Sequence, residues 1–503
     1  MKRSFIKDSI MVMIIVVIGK ICGFARELVV AYLYGASPIT DAFYFCNGLI
    51  NSAFLIITMG MAQAFTPMYL DIKIQKSTSQ ANNFANKILT ILLILGTIVF
   101  LILFLLSPTV IRLIAPDMVQ GTKEIAYHML RMMSICIPIY IMFAIRKCIL
   151  NANQLYFVTE ASGIPYSIAI TIFTIFLSKS YKENALPIAA SIGVLLQFFL
   201  VYFFSRKEYA YRPTKMNFND IEIRQYFILL LPLILNAVFD EANGIIRKSL
   251  ASGLGDGAVA NLNYCMTLTT IINGIIITSI STVFYPHLIK NYSEKKVDEY
   301  IGNAKKCLSG IMTLILPLVG FLFVSGEKVV SIAFERGQFS HENTLIVYDI
   351  FRVYIIGSVL YAIRYTYRTF FYSLKDTKKP IKNEMVFLIL TIIFNISQIK
   401  LLKGGLTSLG YGWLLAMFIT TPALVYSFKK HYYNIIDREM LIESTKSFIS
   451  TLCFLSVLLL SNQFSFIENR IFAFIVSAIA SVAVYMAMMI ALKSRTIKRL
   501  LVR

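Results

Sequence analysis

The sequence contains few charged residues for its length. Asp, Glu, Lys and Arg make up 15% of the 503 residues, whereas hydrophobic residues make up 57%. Soluble domains carry about 25% charged and about 45–50% apolar residues. The apolar residues also form long runs, such as ILTILLILGTIVFLILFLL at 88–106, which is long enough to cross the hydrocarbon core of a bilayer. A soluble protein is therefore excluded, and the sequence predicts an all-α integral membrane protein.

Residue types suited to metal binding and catalysis are also scarce. There are four His, and the seven Cys lie inside or beside apolar runs without a CxxC pair. This pattern supports neither a disulfide framework nor a zinc site. The nucleotide-binding motif G-x-x-x-x-G-K-[ST] is missing, and no nucleophile is paired with a base. The sequence predicts neither an enzyme nor a cofactor or metal site, and it leaves open coupling to the membrane potential or an ion gradient.

Turn residues and charge clusters divide the apolar sequence into about fourteen predicted spans. Their centres lie near residues 20, 53, 97, 137, 168, 196, 237, 272, 316, 357, 392, 417, 454 and 482. With the N-terminus placed inside, the inside segments hold 33 Lys and Arg and the outside loops hold 9. Because cytoplasmic loops are enriched in basic residues, both termini are predicted to be cytoplasmic. The net charge of +21 then reflects topology and contacts with membrane lipids, not a nucleic-acid partner.

An internal repeat relates the two halves of the chain. At an offset of 219 residues, Phe45-Cys46 matches Tyr264-Cys265, and the Phe-x-Pro at 65–67 matches that at 284–286. Six spans separate the copies, so both have the same orientation. Parallel repeats around a central cavity are typical of secondary transporters. The sequence therefore predicts an N-terminal lobe at 1–215 (spans 1–6), a C-terminal lobe at 216–430 (spans 7–12) and an additional helix pair at 431–503 (spans 13–14).

Ionisable residues occur inside the spans, where exposure to lipid is unfavourable. In span 1, Lys20 and Glu27 lie on one helical face, and Arg26 lies about 100° to the side of Glu27. Asp41 opens span 2 after the turn GASPIT. Span 7 carries two adjacent stripes, one of Asp240, Asn243 and Arg247, and one of Glu241, Gly244 and Lys248. These charges indicate either interlobe ion pairs or contacts with an anionic headgroup.

Several motifs together resemble one family. The stretch GKICGFARELVVAYLYGASPITDAF is followed by AQAFTPMY, LASGLGDGAVANLNY, IAFERGQFS and RYTYRTFFYSLKDTKKP. In this order they resemble the MurJ (MviN) family of the MOP flippase superfamily, across essentially the whole chain. The resemblance implies fourteen helices and a cationic central cavity. It also implies flipping of lipid II, the undecaprenyl-pyrophosphate-linked peptidoglycan precursor, from the inner to the outer leaflet of the bacterial cytoplasmic membrane.

The resemblance also assigns residues. Arg26 matches the arginine of the family's GF-x-R-[DE] motif, Glu27 the acidic residue after it, and Asp41 the aspartate of TDAF. The expected substrate-binding residues are Lys20, Arg26, Arg247 and Lys248. The expected gating or coupling residues are Glu27, Asp41, Asp240, Glu241 and Asn243. The implied partners are the undecaprenyl-linked lipid and membrane lipids, with room for contacts with cell-wall synthesis proteins.

The chain departs from the family pattern in its cavity charges. Members usually carry an arginine in the middle of span 2, where this chain reads CNGLINSAFLI, and another soon after LNY, where it reads CMT. A common Asp-Arg pair in span 7 reads Arg247-Lys248, and Arg247 would repel the sodium ion that some members bind there. Either Arg247 and Lys248 resupply the lost charge, or the cargo is another undecaprenyl-linked glycan of a capsule or surface polysaccharide. A cation or drug antiporter of the same superfamily is a third alternative.

Overall fold

The computed structural model describes residues 2–214, 220–274, 277, 279–463 and 470–495. The helices in chain order are α1 (Lys2–Tyr34), α2 (Pro38–Gln75), α3 (Thr78–Leu105), α4 (Ser107–Ile114), α5 (Gln120–Ser134), α6 (Cys136–Ala152), α7 (Tyr156–Ala161), α8 (Gly163–Tyr181), α9 (Ala185–Ser205), α10 (Ile221–Ser252), α11 (Ala258–Asn273), α12 (Ser279–Ser293), α13 (Val297–Phe334), α14 (His341–Ser373), α15 (Lys378–Ile396), α16 (Ser408–His431), α17 (Arg438–Gln463) and α18 (Arg470–Ala491). A short 3₁₀ turn precedes α9, and a π-helical segment extends α15.

Every one of the fourteen predicted span centres lies within a helix. Among the described residues, eight helices are long and apolar enough to cross a membrane by length and composition, or nine if the bent pair α5–α6 forms one span. The helices α5 and α6 meet at 42°. Several of the other helices, such as α11 with 16 residues and α12 with 15, are shorter than a membrane span.

Local sequence signals explain where α2 begins. Ser37 has an extended backbone and accepts a hydrogen bond from the Thr40 amide, while the Thr40 hydroxyl accepts one from the Ser37 amide. This reciprocal pair is a capping box, which satisfies amides that the first helical turn leaves without partners. Pro38 occupies the first helical position, where its fixed φ is favourable. The second span is therefore placed accurately by its own sequence.

The chain divides into two compact units by its internal contacts. Unit 1 comprises Met1–Asn263 and Phe334–Asn343, and unit 2 comprises Tyr264–Ala333 and Thr344–Arg503. This is a different division from the predicted lobes at 1–215 and 216–430, because α10 and the start of α11 pack with the first helices. The lobes derived from the repeat remain a prediction.

In unit 1, α2 is the central helix and packs against α5, α6 and α10. Aromatic rings connect α2 to α3 and α10: Phe65 of α2 stacks on Tyr69 and on Phe84 of α3, with ring centroids 5.6 and 5.5 Å apart. Tyr226 of α10 meets Phe65 and Phe84 edge-on. All four side chains are buried. This cluster explains why α10 belongs to unit 1.

In unit 2, α14 packs closely against α16 where Gly357 faces the indole ring of Trp413. A second aromatic cluster surrounds Phe428 of α16, which contacts Phe371 at a centroid distance of 5.0 Å. The additional helices α17 and α18 pack against each other. The Tyr485 hydroxyl of α18 donates to the carbonyl of Thr313 in α13 at 2.6 Å. The C-terminal pair is thus fastened to unit 2 by a buried hydrogen bond.

Candidate functional site

A buried carboxylate in α1 forms the centre of the candidate site in unit 1. Glu27 is 4% exposed, and its Oε1 accepts from Arg26 Nη2 at 2.6 Å and Nε at 3.1 Å. Its Oε2 accepts from the Tyr44 hydroxyl at 2.6 Å and from Asn263 Nδ2 at 3.2 Å. Hydrogen bonds to an ionised group are stronger than neutral ones. Glu27 therefore joins α1, α2 and α11 through one side chain.

The guanidinium of Arg26 is less enclosed than its carboxylate partner. The Arg26 side chain is 22% exposed, compared with 6% for Glu27. Its Cζ lies 5.6 Å from the centroid of the Tyr166 ring in α8, within the range of a cation–π interaction. The Arg26 charge is thus oriented by two neighbours and is still partly accessible. It can accept an anionic group without prior unfolding of the site.

Polar residues of α2 continue the site along the helix. Asn51 Nδ2 donates to Asn47 Oδ1 at 3.0 Å. The Tyr166 hydroxyl donates to Asn47 Oδ1, and the Tyr140 hydroxyl donates to Asn51 Oδ1, each at 3.2 Å. This is the segment CNGLINSAFLI, which the sequence showed to be without charge. The structure therefore shows an amide and phenol network here.

The charged residues of α10 face three different environments. The Ser52 hydroxyl donates to Glu241 Oε2 at 2.5 Å. Lys248 Nζ donates to the backbone carbonyl of Tyr44 at 2.9 Å. The Nε of Arg247 is buried and has no hydrogen-bond partner within the described part of the chain. Asn243 is half-buried on the same helix. The side chain of Asp240 lies outside the described residues.

Asp41 lies in the first turn of α2, and its carboxylate binds the N-terminus of α11. Its Oδ2 accepts from the Gly257 amide at 2.6 Å and its Oδ1 from the Ala260 amide at 2.7 Å. These amides belong to the N-terminus of α11, where a carboxylate is favourable because the amides there lack helical partners. Gly257 has φ +82, and a Cβ there would lie 2.8 Å from the Ala36 carbonyl oxygen. The turn chemistry and the carboxylate together hold α11 against α2.

Three turns of unit 1, at 35–37, 253–257 and 335–340, converge at this position, and we call them the turn cluster. The Gln338 amide donates to the Tyr32 carbonyl at 2.9 Å. Asp256 Oδ1 accepts from the Thr122 hydroxyl at 2.7 Å. The Ser249 hydroxyl donates to the Ile114 carbonyl at 2.5 Å. The turn cluster is therefore closed by hydrogen bonds from several segments.

The structure brings some of the sequence-predicted residues together and leaves others apart. Arg26, Glu27 and Lys248 meet through Tyr44. Asp41 binds the turn cluster through the Gly257 amide, and Lys20 is exposed on α1. The predicted roles of all these residues remain predictions.

Sequence reasoning missed the neutral residues that complete the site, namely Tyr44, Asn47, Tyr166 and Asn263. Asn263 lies in the quoted motif LASGLGDGAVANLNY, and that motif was the available signal. It also missed two buried arginines, Arg146 and Arg364, each 3% exposed. Both follow Ala-Ile, in the two halves of the chain.

Comparison with known proteins identifies the family. A family model described as "Lipid II flippase MurJ" matches residues 30–481. The chain belongs to the MurJ family. Two MurJ relatives, each named a probable lipid II flippase, cover most of it. The protein of Buchnera aphidicola subsp. Baizongia pistaciae is 26% identical over 412 residues, which is 79% of this chain and 78% of the relative. That of Rickettsia prowazekii is 25% identical over 442 residues, or 86% and 85%.

Solved structures show the same fold. A lipid II flippase MurJ in an inward closed conformation superimposes with a TM-score of 0.84 at 22% identity, covering 98% of this chain and all of the other. An inward-facing multidrug resistance MATE transporter of the MOP superfamily gives a TM-score of 0.68 at 13% identity, covering 84% and 97%. These matches confirm the predicted all-α membrane architecture with about fourteen helices. MurJ proteins are transporters and not enzymes, and this chain is a multi-pass protein of the bacterial inner membrane.

Proposed function

We propose that this chain flips lipid II from the inner to the outer leaflet of the cytoplasmic membrane by alternating access. The family membership supports the cargo, and one observation carries the site assignment. Arg26 is held by Glu27 and Tyr166, and its side chain is still 22% exposed within a predicted membrane span. An arginine in such a place binds a phosphate more strongly than one at the surface, since electrostatic attraction increases in a low dielectric.

The diphosphate of the headgroup carries the charge that this site would neutralise. Arg26 binds it first, because its planar guanidinium matches phosphate oxygens. Arg247 adds a second cation, whose buried Nε has no partner among the residues described. Lys248 and Lys20 contribute further positive charge from α10 and α1. The lipid tail stays in the membrane while the headgroup passes through the interior.

Asp41 is the proposed gate residue. Both of its carboxylate oxygens bind amides of α11, so opening the turn cluster requires these two hydrogen bonds to break. Glu241, Asn243 and Asp240 of α10 are the proposed coupling residues. Energy would come from the membrane potential, which supplies about 2.3 kcal/mol per charge per 100 mV, or from an ion gradient.

The distribution of basic residues supports an orientation with both termini in the cytoplasm. In that orientation the turn cluster faces outward, and the turn that joins α2 to α3 faces the cytoplasm. A cysteine placed in the 35–37 turn should react with a membrane-impermeant thiol reagent only from outside. Labelling from the cytoplasmic side would reverse the assignment.

Depletion in the native host tests the cargo. Lipid II should accumulate on the inner side of the membrane, and purified protein in liposomes should move fluorescent lipid II to the other leaflet. Accumulation of a different undecaprenyl-linked glycan would make that glycan the cargo. Loss of drug or cation efflux with normal lipid II turnover would identify an antiporter.

The double variant Arg247→Gln/Lys248→Gln tests whether α10 supplies the cavity charge. Flipping should be lost while the amount of protein in the membrane stays normal, because these residues replace cations that span 2 and span 8 do not provide. Wild-type flipping by the double variant would reject this role. Asp71→Asn, at an exposed position at the end of α2, is a control that changes charge without touching the site.

A further inference from the structure

Lys248 lies across a glycine of the neighbouring helix. A Cβ at Gly48 would lie 2.6 Å from Lys248 Nζ, 3.3 Å from its Cδ and 3.4 Å from its Cε. The first distance is far below van der Waals contact, so any other residue at position 48 would displace the ammonium group. Gly48 is helical and needs no unusual backbone angle. Because Gly48 has no side chain, it leaves room for the Lys248 ammonium group.

The ammonium group makes a defined hydrogen bond inside this space. Lys248 Nζ donates to the Tyr44 carbonyl at 2.9 Å. Tyr44 precedes Gly48 by four residues, so this carbonyl is also the helical acceptor for the Gly48 amide. A carbonyl oxygen has two lone pairs and can accept both donors. Lys248 is therefore bound to the backbone of α2, and its charge lies close to that helix.

Tyr44 connects this contact to the ion-pair centre. The same residue that accepts Lys248 through its carbonyl donates through its hydroxyl to Glu27 at 2.6 Å. Glu27 in turn holds Arg26 at 2.6 Å. The carboxylates that attract Lys248 electrostatically are those of Glu27 and Glu241. A series of three contacts thus runs from α10 to the arginine of α1.

We propose that Lys248 is a positioning residue that occupies the notch at Gly48 and, through Tyr44 and Glu27, sets the orientation in which Arg26 binds the anionic headgroup. This inference rests on the proposed function, and it assigns different roles to the adjacent cations Lys248 and Arg247. Lys248 Nζ donates its hydrogen bond to the Tyr44 carbonyl. The buried Nε of Arg247, by contrast, has no hydrogen-bond partner among the described residues. Arg247 is then the cation of α10 that contacts the headgroup directly.

Two substitutions separate this role from simple packing. Lys248→Met keeps the length and bulk of the side chain in the notch and removes the donor together with the positive charge. Gly48→Ala keeps the lysine and removes its space. Both should weaken binding of undecaprenyl diphosphate about tenfold or more, because each variant loses the charge-assisted hydrogen bond that positions Arg26 through Tyr44 and Glu27. The binding is measured on full-length protein in nanodiscs, together with flipping of fluorescent lipid II and thermal unfolding.

The controls make each outcome decisive. Gly310→Ala places a methyl group in open space on α13 and should leave binding and flipping unchanged. Gly48→Ala/Lys248→Ala restores the space without the donor and should stay impaired. Wild-type affinity in Lys248→Met, or full recovery in the double alanine variant, would overturn the positioning role.

The same measurements separate this inference from the proposed cargo. If wild-type protein binds undecaprenyl diphosphate but does not flip lipid II, the cargo assignment fails and the notch variants still report on Arg26. If wild-type protein flips lipid II and the notch variants match it, the cargo stands and the positioning role is rejected.

Discussion

Two arginine–glutamate pairs in this protein have the same chemistry and connect to different helices. Arg26 and Glu27 are neighbours on one helix and lie 2.6 Å apart. Arg364 of α14 binds Glu384 of α15 at 3.0 Å and the Thr420 hydroxyl of α16 at 3.0 Å. The second ion pair therefore links two different helices of unit 2, and Thr420 adds a third. The first ion pair lies within α1 and reaches α2 and α11 only through the Glu27 carboxylate.

The arginines of the two pairs also differ in exposure. The side chain of Arg364 is 4% exposed and that of Arg26 is 22% exposed. The Phe387 ring covers Arg364 at 4.6 Å, and Arg368 shares Glu384 at 3.6 Å. A fully buried arginine among helices stabilises the fold, whereas a partly exposed arginine is available to a ligand. Substitutions should therefore affect stability at one pair and transport at the other.

The largest effect is expected from Arg26→Gln. Flipping should fall about 100-fold, because the glutamine loses the charge-assisted contact with the headgroup, which contributes about 1.5–3 kcal/mol. The amount of folded protein should change little, since Glu27 keeps the donors of Tyr44 and Asn263. Transport of fluorescent lipid II per folded molecule measures this. Arg26→Lys, which keeps the charge, should be intermediate.

Arg364→Gln should have the opposite profile. Removing one partner of a buried ion pair costs about 3–5 kcal/mol, and we expect about 2–3 kcal/mol here because Glu384 is 24% exposed and keeps Arg368. Thermal unfolding in detergent should show the loss, with normal flipping per folded molecule. Arg364→Gln/Glu384→Gln should recover part of it. A stable Arg364→Gln variant that cannot flip would contradict the division between the pairs.

Arg146 extends the comparison to an arginine that has no carboxylate partner among the described residues. Its Nη1 donates to the Ser205 hydroxyl at 2.9 Å and to the Tyr209 carbonyl at 3.3 Å, and its Cζ lies 4.6 Å from the Tyr202 ring centroid. Arg146→Lys cannot reproduce this set of contacts and should lower stability by about 1–2 kcal/mol without changing flipping per molecule. An unchanged unfolding temperature would show that the contacts contribute nothing.

The smallest effect is expected at a water-exposed pair. Lys305 donates to Asp437 Oδ2 at 2.6 Å, and the ammonium holds the pKa of that carboxyl below its usual range. A lowered pKa in the folded state gives stability above the unfolded pKa of about 3.9 that is lost as pH falls through the folded value. The contribution should be under about 1 kcal/mol, because both groups are about one-third exposed. Asp437→Asn should remove this part of the acid sensitivity of unfolding.

Helix positions could be predicted from the sequence because apolar runs and turn residues are local signals. Span centres such as 53 and 417 lie inside α2 and α16. The predicted one-sided stripe of α1 carried less information, since Lys20 is exposed and Glu27 is buried although they share a face. One face of a long helix passes through several environments. The neighbouring helices determine which residues on that face are buried.

The partners of the charged residues could not be predicted, because they come from distant parts of the chain. Asn263 is 236 residues from Glu27, and Lys248 is 204 residues from Tyr44. The count of inside basic residues includes Arg146 and Arg364, because they follow the predicted centres of spans 4 and 10 by several residues. Their burial depends on tertiary contacts that a count of loop charges does not contain.

The carboxylate of Glu27 has a consequence for the speed of the transport cycle. It is permanently tethered beside Arg26 and competes with any incoming anion for the same guanidinium. A tethered competitor lowers the affinity for the headgroup, and lower affinity usually means a shorter residence time. In the proposed mechanism, Glu27 pairs with Arg26 again when the headgroup leaves and opposes rebinding. We therefore expect the Arg26–Glu27 pair to favour rapid turnover over tight binding.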